Sequence, residues 1–352
     1  MYDTITDTWS RIIPYWFPFN NFQTYYHWLF LGCFLLLAPL AFSQVFGRLP
    51  KSAREFLGWV FPKRIYLHTS ALRGYRFYFV NEALKVLLGF ASLILSMAAI
   101  QALVHGGMTK WLGSPATTID VAGRWEWMLL YTFVLFIMND LAVFGHHYLA
   151  HKIPFLWEFH KIHHSSIVLT PIEAFREHPM DQIGWGTVWA LLIGTTNGIF
   201  NYYSTSDLAQ LSIWGSSVMV IAMKLVANLR HSHLWLQFPR PLRLISSPAQ
   251  HQIHHSKAHK HYDKNFGFYL NVWDWLLGTL YQPSQYEEIE YGLKGDEEVE
   301  YDSVWQLYWL PFVKAARLIR SQGLRAMLPR RFERNRRGYG GLLGERTTSD
   351  NG

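Results

Sequence analysis

The sequence predicts an all-α integral membrane protein with about four to five transmembrane helices and a cytoplasmic helical cap lined by histidines. Three observations carry that prediction. Five apolar stretches, at 25–46, 79–104, 125–145, 183–200 and 207–229, each approach the ~20 residues a helix needs to cross hydrocarbon. Half of the 352 residues are hydrophobic and only 16% are charged, where soluble domains carry roughly 25%. Fourteen of the 17 histidines fall between His146 and His261, where the membrane face would lie.

The first stretch holds no Asp, Glu, Lys or Arg, and the second runs without charge from Val86 to Val104. The third carries Asn139 and Asp140 near its end, and polar groups at membrane depth point to function. The fourth is rich in glycine (Gly184, Gly186, Gly194, Gly198), which permits close helix approach. The polar segment 201–206 turns it back into the fifth. The 47–77 loop holds Arg48, Lys51, Arg54, Lys63, Arg64, Arg73 and Arg76 against the single acid Glu55, so the positive-inside rule places it in the cytoplasm. Counting crossings from there puts every histidine-rich segment, and the C-terminus, on that same side.

The chain divides into an N-terminal membrane region (1–124), a histidine-bearing domain (125–282) and a tail (283–352). Residues 303–328 mix apolar bulk with Lys314, Arg317, Arg320 and Arg325, as suits an amphipathic helix at the membrane interface that Pro311 would start or interrupt. Beyond Arg330 the composition predicts disorder. Cys33 is the only cysteine, so neither an intrachain disulfide nor a cysteine-based zinc site is expected. The first residues lack a basic region followed by a short apolar core, so no cleaved signal peptide is expected. The net charge of +7 accompanies no nucleic-acid motif; anionic lipid headgroups account for it.

Three strings concentrate the chemistry: H-Y-L-A-H at 147–151, H-K-I-H-H at 160–164 and H-Q-I-H-H at 251–255. Neutral imidazole is a common transition-metal ligand. Residues three and four apart share a helix face, so His147 and His151 can point together. His160, His163 and His164 offer a pair plus a ring turned about 100°, able to serve one metal with two rings and a neighbour with the third. His251, His254 and His255 repeat this geometry. Eight rings exceed the roughly three protein ligands of a single catalytic metal, so two metals are expected.

The run 140–166, together with R-E-H-P at 176–179, P-A-Q-H-Q-I-H-H-S at 248–256 and N-F-G…W-D-W-L-L-G-T at 265–279, resembles the fatty acid hydroxylase/sterol desaturase superfamily of membrane-bound oxygenases over roughly 125–282. The resemblance implies two iron ions (zinc being able to replace them in recombinant protein), O2 as cosubstrate, and hydroxylation or desaturation of an unactivated C–H bond in a lipid. It implies the ligands His147, His151, His160, His163, His164, His251, His254 and His255, with His231 as a ninth. The chain departs from the family at His233, where asparagine is common, and at His146, where an aromatic is common; His233 is either an extra ligand or a polar substitute, and His146 has no assigned role.

A neutral imidazole shell calls for carboxylates that accept the outer N–H bonds; the candidates are Asp140, Glu158, Glu173, Glu177, Asp181, Asp263 and Asp274. His178 is read as supporting or structural, His259 and His261 as loop residues or ligands, and Asn265 with Asp274 as a lock on the segment covering the histidines. The sequence has no H-P-G-G haem string, no G-x-G-x-x-G after a strand and no cysteine cluster, so electrons are expected from a separate ferredoxin or cytochrome b5-like donor. Two other functions concentrate histidines. A membrane metal transporter would place its ligands within the spans, whereas these lie beyond the span ends. A noncatalytic zinc-stabilised lipid-binding protein would use the same rings and stays open.

Overall fold

The computed structural model describes residues 28–87, 95–120, 123–213, 216–295 and 300–330. Within them the first helix, α1, is Trp28–Phe46, followed by α2 (Ala53–Val60), capped by the Ser52 side chain on the Glu55 N–H. Next come α3 (Thr69–Leu87) and α4 (Met97–Leu112). The predicted single span 79–104 therefore falls on two helices, with 88–94 outside the described residues. Ser96 caps the start of α4, breaking the apolar run.

The long helix α5 (Trp125–Lys152) ends where Pro154 cannot donate a helical N–H, and α6 (Pro154–His164) begins there at a new angle. That break folds H-K-I-H-H back against H-Y-L-A-H. Helix α7 (Pro179–Tyr203) is capped by His178 and packs along α4 and α5. A Cβ on Gly194 or Gly198 would meet α4 atoms at 2.8 Å and 2.6 Å, so these two glycines of the stretch do serve close packing.

The expected fifth span, 207–229, is not one helix. Ser212–Ile213 pairs antiparallel with Ser216–Ser217, and two short helices, Val218–Lys224 and Ala227–Arg230, follow. The stretch carries Ser212, Ser216 and Ser217, residues of lower helix propensity than the leucines, alanines and methionines around them, so average apolarity does not make it one helix. Among the described residues two helices, α1 and α5, are long and apolar enough to cross a membrane. Both turn large apolar side chains outward, Leu36 and Leu40 on α1 and Leu129, Leu130 and Phe133 on α5.

The third histidine string lies on α8 (Pro248–His254), started by a reciprocal capping box between Ser247 and Gln250 with Pro248 at its first position. Trp235, Ala249 and Ile253 bury its outer face, while Phe34, Ala38 and Ala41 of α1 pack on Leu229, Leu234 and Leu236. The short helix α9 (Val272–Leu277) follows the segment whose Phe266 ring packs on His147, His151 and His254. The tail helix α10 (Val304–Gln322) runs through Pro311 without stopping. Its Ser303 cap and its buried face of Leu307, Pro311 and Ala315, packed on α6 and α3, offset the lost bond. The predicted disordered end lies outside the described residues.

Candidate metal centre

Nine imidazoles converge from α5, α6, α8 and the segment after Arg230. They fall into two groups: His147, His151, His160, His164 and His254 in one, His163, His231, His251 and His255 in the other, with the nitrogens of each group within 4.8 Å of one another. The rule that divides them is helical. In α6 the i,i+4 pair His160 and His164 joins the first group, and His163, turned by about 100°, joins the second. In α8 the assignment is reversed: His251 and His255 join the second group and His254 the first. The rings of His164 and His255 stack at 4.5 Å where the groups meet.

Ring–ring hydrogen bonding does not explain this packing. The Nε2 atoms of His163, His231, His251 and His255 form a chain with separations of 3.1, 3.0 and 3.1 Å. An imidazole nitrogen carries either a proton or one lone pair, aimed along one direction. Proton placement therefore cannot give linear bonds at His231 and His251, each of which has two such neighbours. A shared cation can: for a metal held at about 2.1 Å, ligands at right angles stand about 3.0 Å apart and tetrahedral ones about 3.4 Å. His151 and His164 in the first group also approach at 3.1 Å. The inward Nε2 atoms of His147, His160 and His254 are buried and lack any partner in the protein. The donor set thus fits two metal ions.

The outer nitrogens explain why those Nε2 atoms face inward. His147 Nδ1 donates to the Phe266 carbonyl at 2.9 Å, His254 Nδ1 to the Lys264 carbonyl at 2.8 Å, and His160 Nδ1 to Asp181 Oδ2 at 2.8 Å. Each bond places the proton on Nδ1 and leaves a lone pair on Nε2. Burial, and after it the neighbouring rings, hold the pKa values of His163, His164, His251 and His255 well below the ordinary histidine range. Burial pushes His231 and His254 down to about 3. All these rings stay neutral, as ligation requires.

Of the acids predicted to support the rings, Asp181 alone bonds one of the nine among the described residues. Its other oxygen accepts from His146 Nε2 at 2.8 Å. Asp140 and Asp274 act one step further out. Asp140 accepts from the Tyr269 and Leu270 N–H groups and from Trp273 Nε1; Asp274 accepts from the Phe266 and Gly267 N–H groups and from Thr279. They hold the segment whose carbonyls bind His147 and His254. Asn265 sits in left-handed backbone, takes the Tyr281 N–H and donates to the Gln250 carbonyl, completing the lock.

The remaining candidates have other partners. Glu158 pairs with Lys161, Asp263 with Lys152, and Glu173 with Arg176 in a fully buried pair. Glu177 accepts from Gln182. His178 caps α7 and donates to the Tyr308 carbonyl. His233 donates to the Trp59 carbonyl and lies outside both groups. His259 is exposed, and His261 faces Glu287 at 3.3 Å. The sequence offered no signal for the roles of Phe266 and Lys264, because backbone carbonyls leave no mark in residue type.

Residues 132–279 match the fatty acid hydroxylase family. The chain is 29% identical over 175 residues to an ornithine lipid hydroxylase of Rhizobium tropici, covering 48% of each chain. It is 26% identical over 196 residues to an alkylglycerol monooxygenase of Danio rerio, covering 53% of this chain and 39% of the relative. It is 28% identical over 158 residues to a Delta(7)-sterol 5(6)-desaturase of Gibberella zeae, covering 45% and 44%. The chain thus spans about half the length, or less, of these relatives. No solved structure matches it. The histidine order, the paired clusters and these matches agree in likening residues 132–279 to the fatty acid hydroxylase family.

Proposed function

We propose that the protein is a membrane-bound, O2-dependent di-iron oxygenase that hydroxylates or desaturates an unactivated C–H bond of a lipid. The observation that carries this reading is the convergence of nine imidazole nitrogens on two adjacent points. The relatives named as an ornithine lipid hydroxylase, an alkylglycerol monooxygenase and a sterol desaturase support the substrate class.

A methylene C–H has no proton that a side-chain base could remove, and bound iron would supply the redox chemistry that O2-dependent attack on it needs. The chain's own residues prepare the site. His147, His151, His160, His164 and His254 would hold one ion, and His163, His231, His251 and His255 the other. The carbonyls of Phe266 and Lys264 and the Asp181 carboxylate fix three of the rings with their lone pairs inward. The segment 263–279, tied down by Asp140 and Asp274, covers the rings and excludes water. The basic 47–77 loop touches the segments beside the centre and the tail: Ser70 bonds Ser166, the Trp59 carbonyl accepts from His233, and Arg73 donates to the Tyr301 carbonyl. With that loop inside by the positive-inside rule, the centre and the C-terminus would face the cytoplasm, where a separate ferredoxin or cytochrome b5-like protein would deliver electrons to a basic surface.

The test is metal content followed by turnover. Protein purified in detergent and loaded anaerobically with ferrous iron should hold two ions per chain. With O2, a reductase–ferredoxin pair and extracted lipids, mass spectrometry should find a lipid that has gained one oxygen atom or lost two hydrogens. Two bound ions with no altered lipid would favour the noncatalytic lipid-binding reading.

A further inference from the structure

The two histidine groups are not supported alike. In the first, three rings have their outer nitrogens bonded: two by backbone carbonyls and one by Asp181. In the second, the outer Nδ1 atoms of His163 and His251 are buried with no hydrogen-bond partner. Among the described residues, the one carboxylate that reaches a ring of either group, Asp181, acts on the five-ring group.

Its setting is built for that task. Asp181 lies in the first turn of α7, His146 on α5 and His160 on α6, so one side chain joins three helices. Both oxygens are used, each at 2.8 Å, and the three side chains are 6–7% exposed. One turn along α7, Gly184 leaves room for the His146 ring: a Cβ there would lie 2.7 Å from His146 Cε1. His146, which helical phase keeps out of both metal groups, is thereby placed to hold the far side of the Asp181 carboxylate.

We infer that His146 and Asp181 are positioning residues that orient His160 and make the five-ring site retain its metal more tightly than the four-ring site. This rests on the di-metal reading above. An Asp-anchored imidazole is fixed in orientation and more basic toward a metal, and losing such an outer partner weakens metal affinity by about 10–100-fold. His146 contributes by keeping Asp181 from turning away.

The test follows metal release rather than turnover. Iron-loaded full-length protein in detergent is challenged with excess chelator, and the metal left on the protein is measured against time. Wild type should release one ion quickly and one slowly. His231→Ala, which disables the four-ring site, should keep a single slow ion. Adding Asp181→Ala to that background should speed the remaining release by about 10–100-fold. His146→Phe should speed it by less, and His146→Gln, which keeps an N–H donor, should restore part of the slow rate. Size-exclusion profiles and helical circular dichroism identify any variant that has lost its fold. Should Asp181→Ala misfold, the Phe and Gln variants of His146 still give the comparison. Equal release of both ions from wild type, or an unchanged rate in Asp181→Ala and in His146→Phe, would overturn the inference while leaving the di-metal reading intact. A wild-type chain that binds no iron would overturn both.

Discussion

The imidazole of His147 donates to the main-chain carbonyl of Phe266, whose own N–H is held by the buried carboxylate of Asp274. Orientation of a ring on α5 therefore depends on an acid 127 positions later in the chain, transmitted through one residue. Asp274 accepts three bonds and is fully buried. Asp274→Ala would leave the Phe266 and Gly267 N–H groups and the Thr279 hydroxyl without that partner, at about 1 kcal/mol or more each. The expected loss is about 3 kcal/mol of stability, with metal depleted preferentially from the five-ring group. Thermal melts and metal analysis of the purified variant check this; full metal content in a destabilised protein would separate the loop from the site.

Gly184→Ala places a methyl against the His146 ring, at 2.7 Å from Cε1. That ring cannot swing aside freely, because Asp181 holds Nε2, the atom next to Cε1. The strain is expected to cost about 1–3 kcal/mol. A Cβ added at Gly145 would meet nothing within 4 Å, so Gly145→Ala serves as the control and should be nearly silent. Equal melting temperatures for the two variants would contradict the packing described for His146.

Spacing within each histidine string is enough to predict two metals and to predict that one ring of each H-x-x-H-H serves a different ion from its neighbours. It cannot say which ring, because that depends on how α6 and α8 are rotated against each other. Those rotations come from the Pro154 break and from the burial of Trp235, Ala249 and Ile253. Asp181 is legible only as one acid among seven, since a carboxylate in the first turn of a helix looks the same whether it meets a ring or water. The fifth apolar stretch misleads for a related reason: average hydropathy over 207–229 hides serines of lower helix propensity, and the segment holds a short antiparallel pair instead of a helix.

The α4–α7 contact depends on missing side chains. Gly194→Leu would drive a side chain into Ile100 and the Met97 carbonyl, both 2.8 Å from the first added atom. Backbone separation is the only relief, so a loss of about 1–3 kcal/mol is expected. Gly106→Leu on α4, where nothing lies within 4 Å, should change stability little. Thermal unfolding in one detergent, comparing both with wild type, decides the matter; a similar loss in the two would mean that glycine itself, rather than the close approach, is what matters.

Acid sensitivity should be traceable in part to His178. This ring is 1% exposed, its Nδ1 accepts the Met180 N–H at the start of α7, and its Nε2 donates to the Tyr308 carbonyl on α10. Only the neutral ring can do both, and burial, partly opposed by the Tyr308 carbonyl, pushes its pKa from 6.5 down to about 4. Below pH 6.5 the unfolded chain takes up a proton that the folded chain refuses. The stabilisation is therefore complete above about pH 6.5 and is lost as the pH falls toward 4, by up to about 3 kcal/mol. Asn caps helices well and does not titrate, so His178→Asn should remove this component. Other buried histidines also titrate, which makes the difference between variant and wild type the quantity to follow. Melting temperatures of the two should diverge least at pH 4 to 5 and most above pH 6.5; a gap that stays constant across that range would rule out His178 as a source of acid lability.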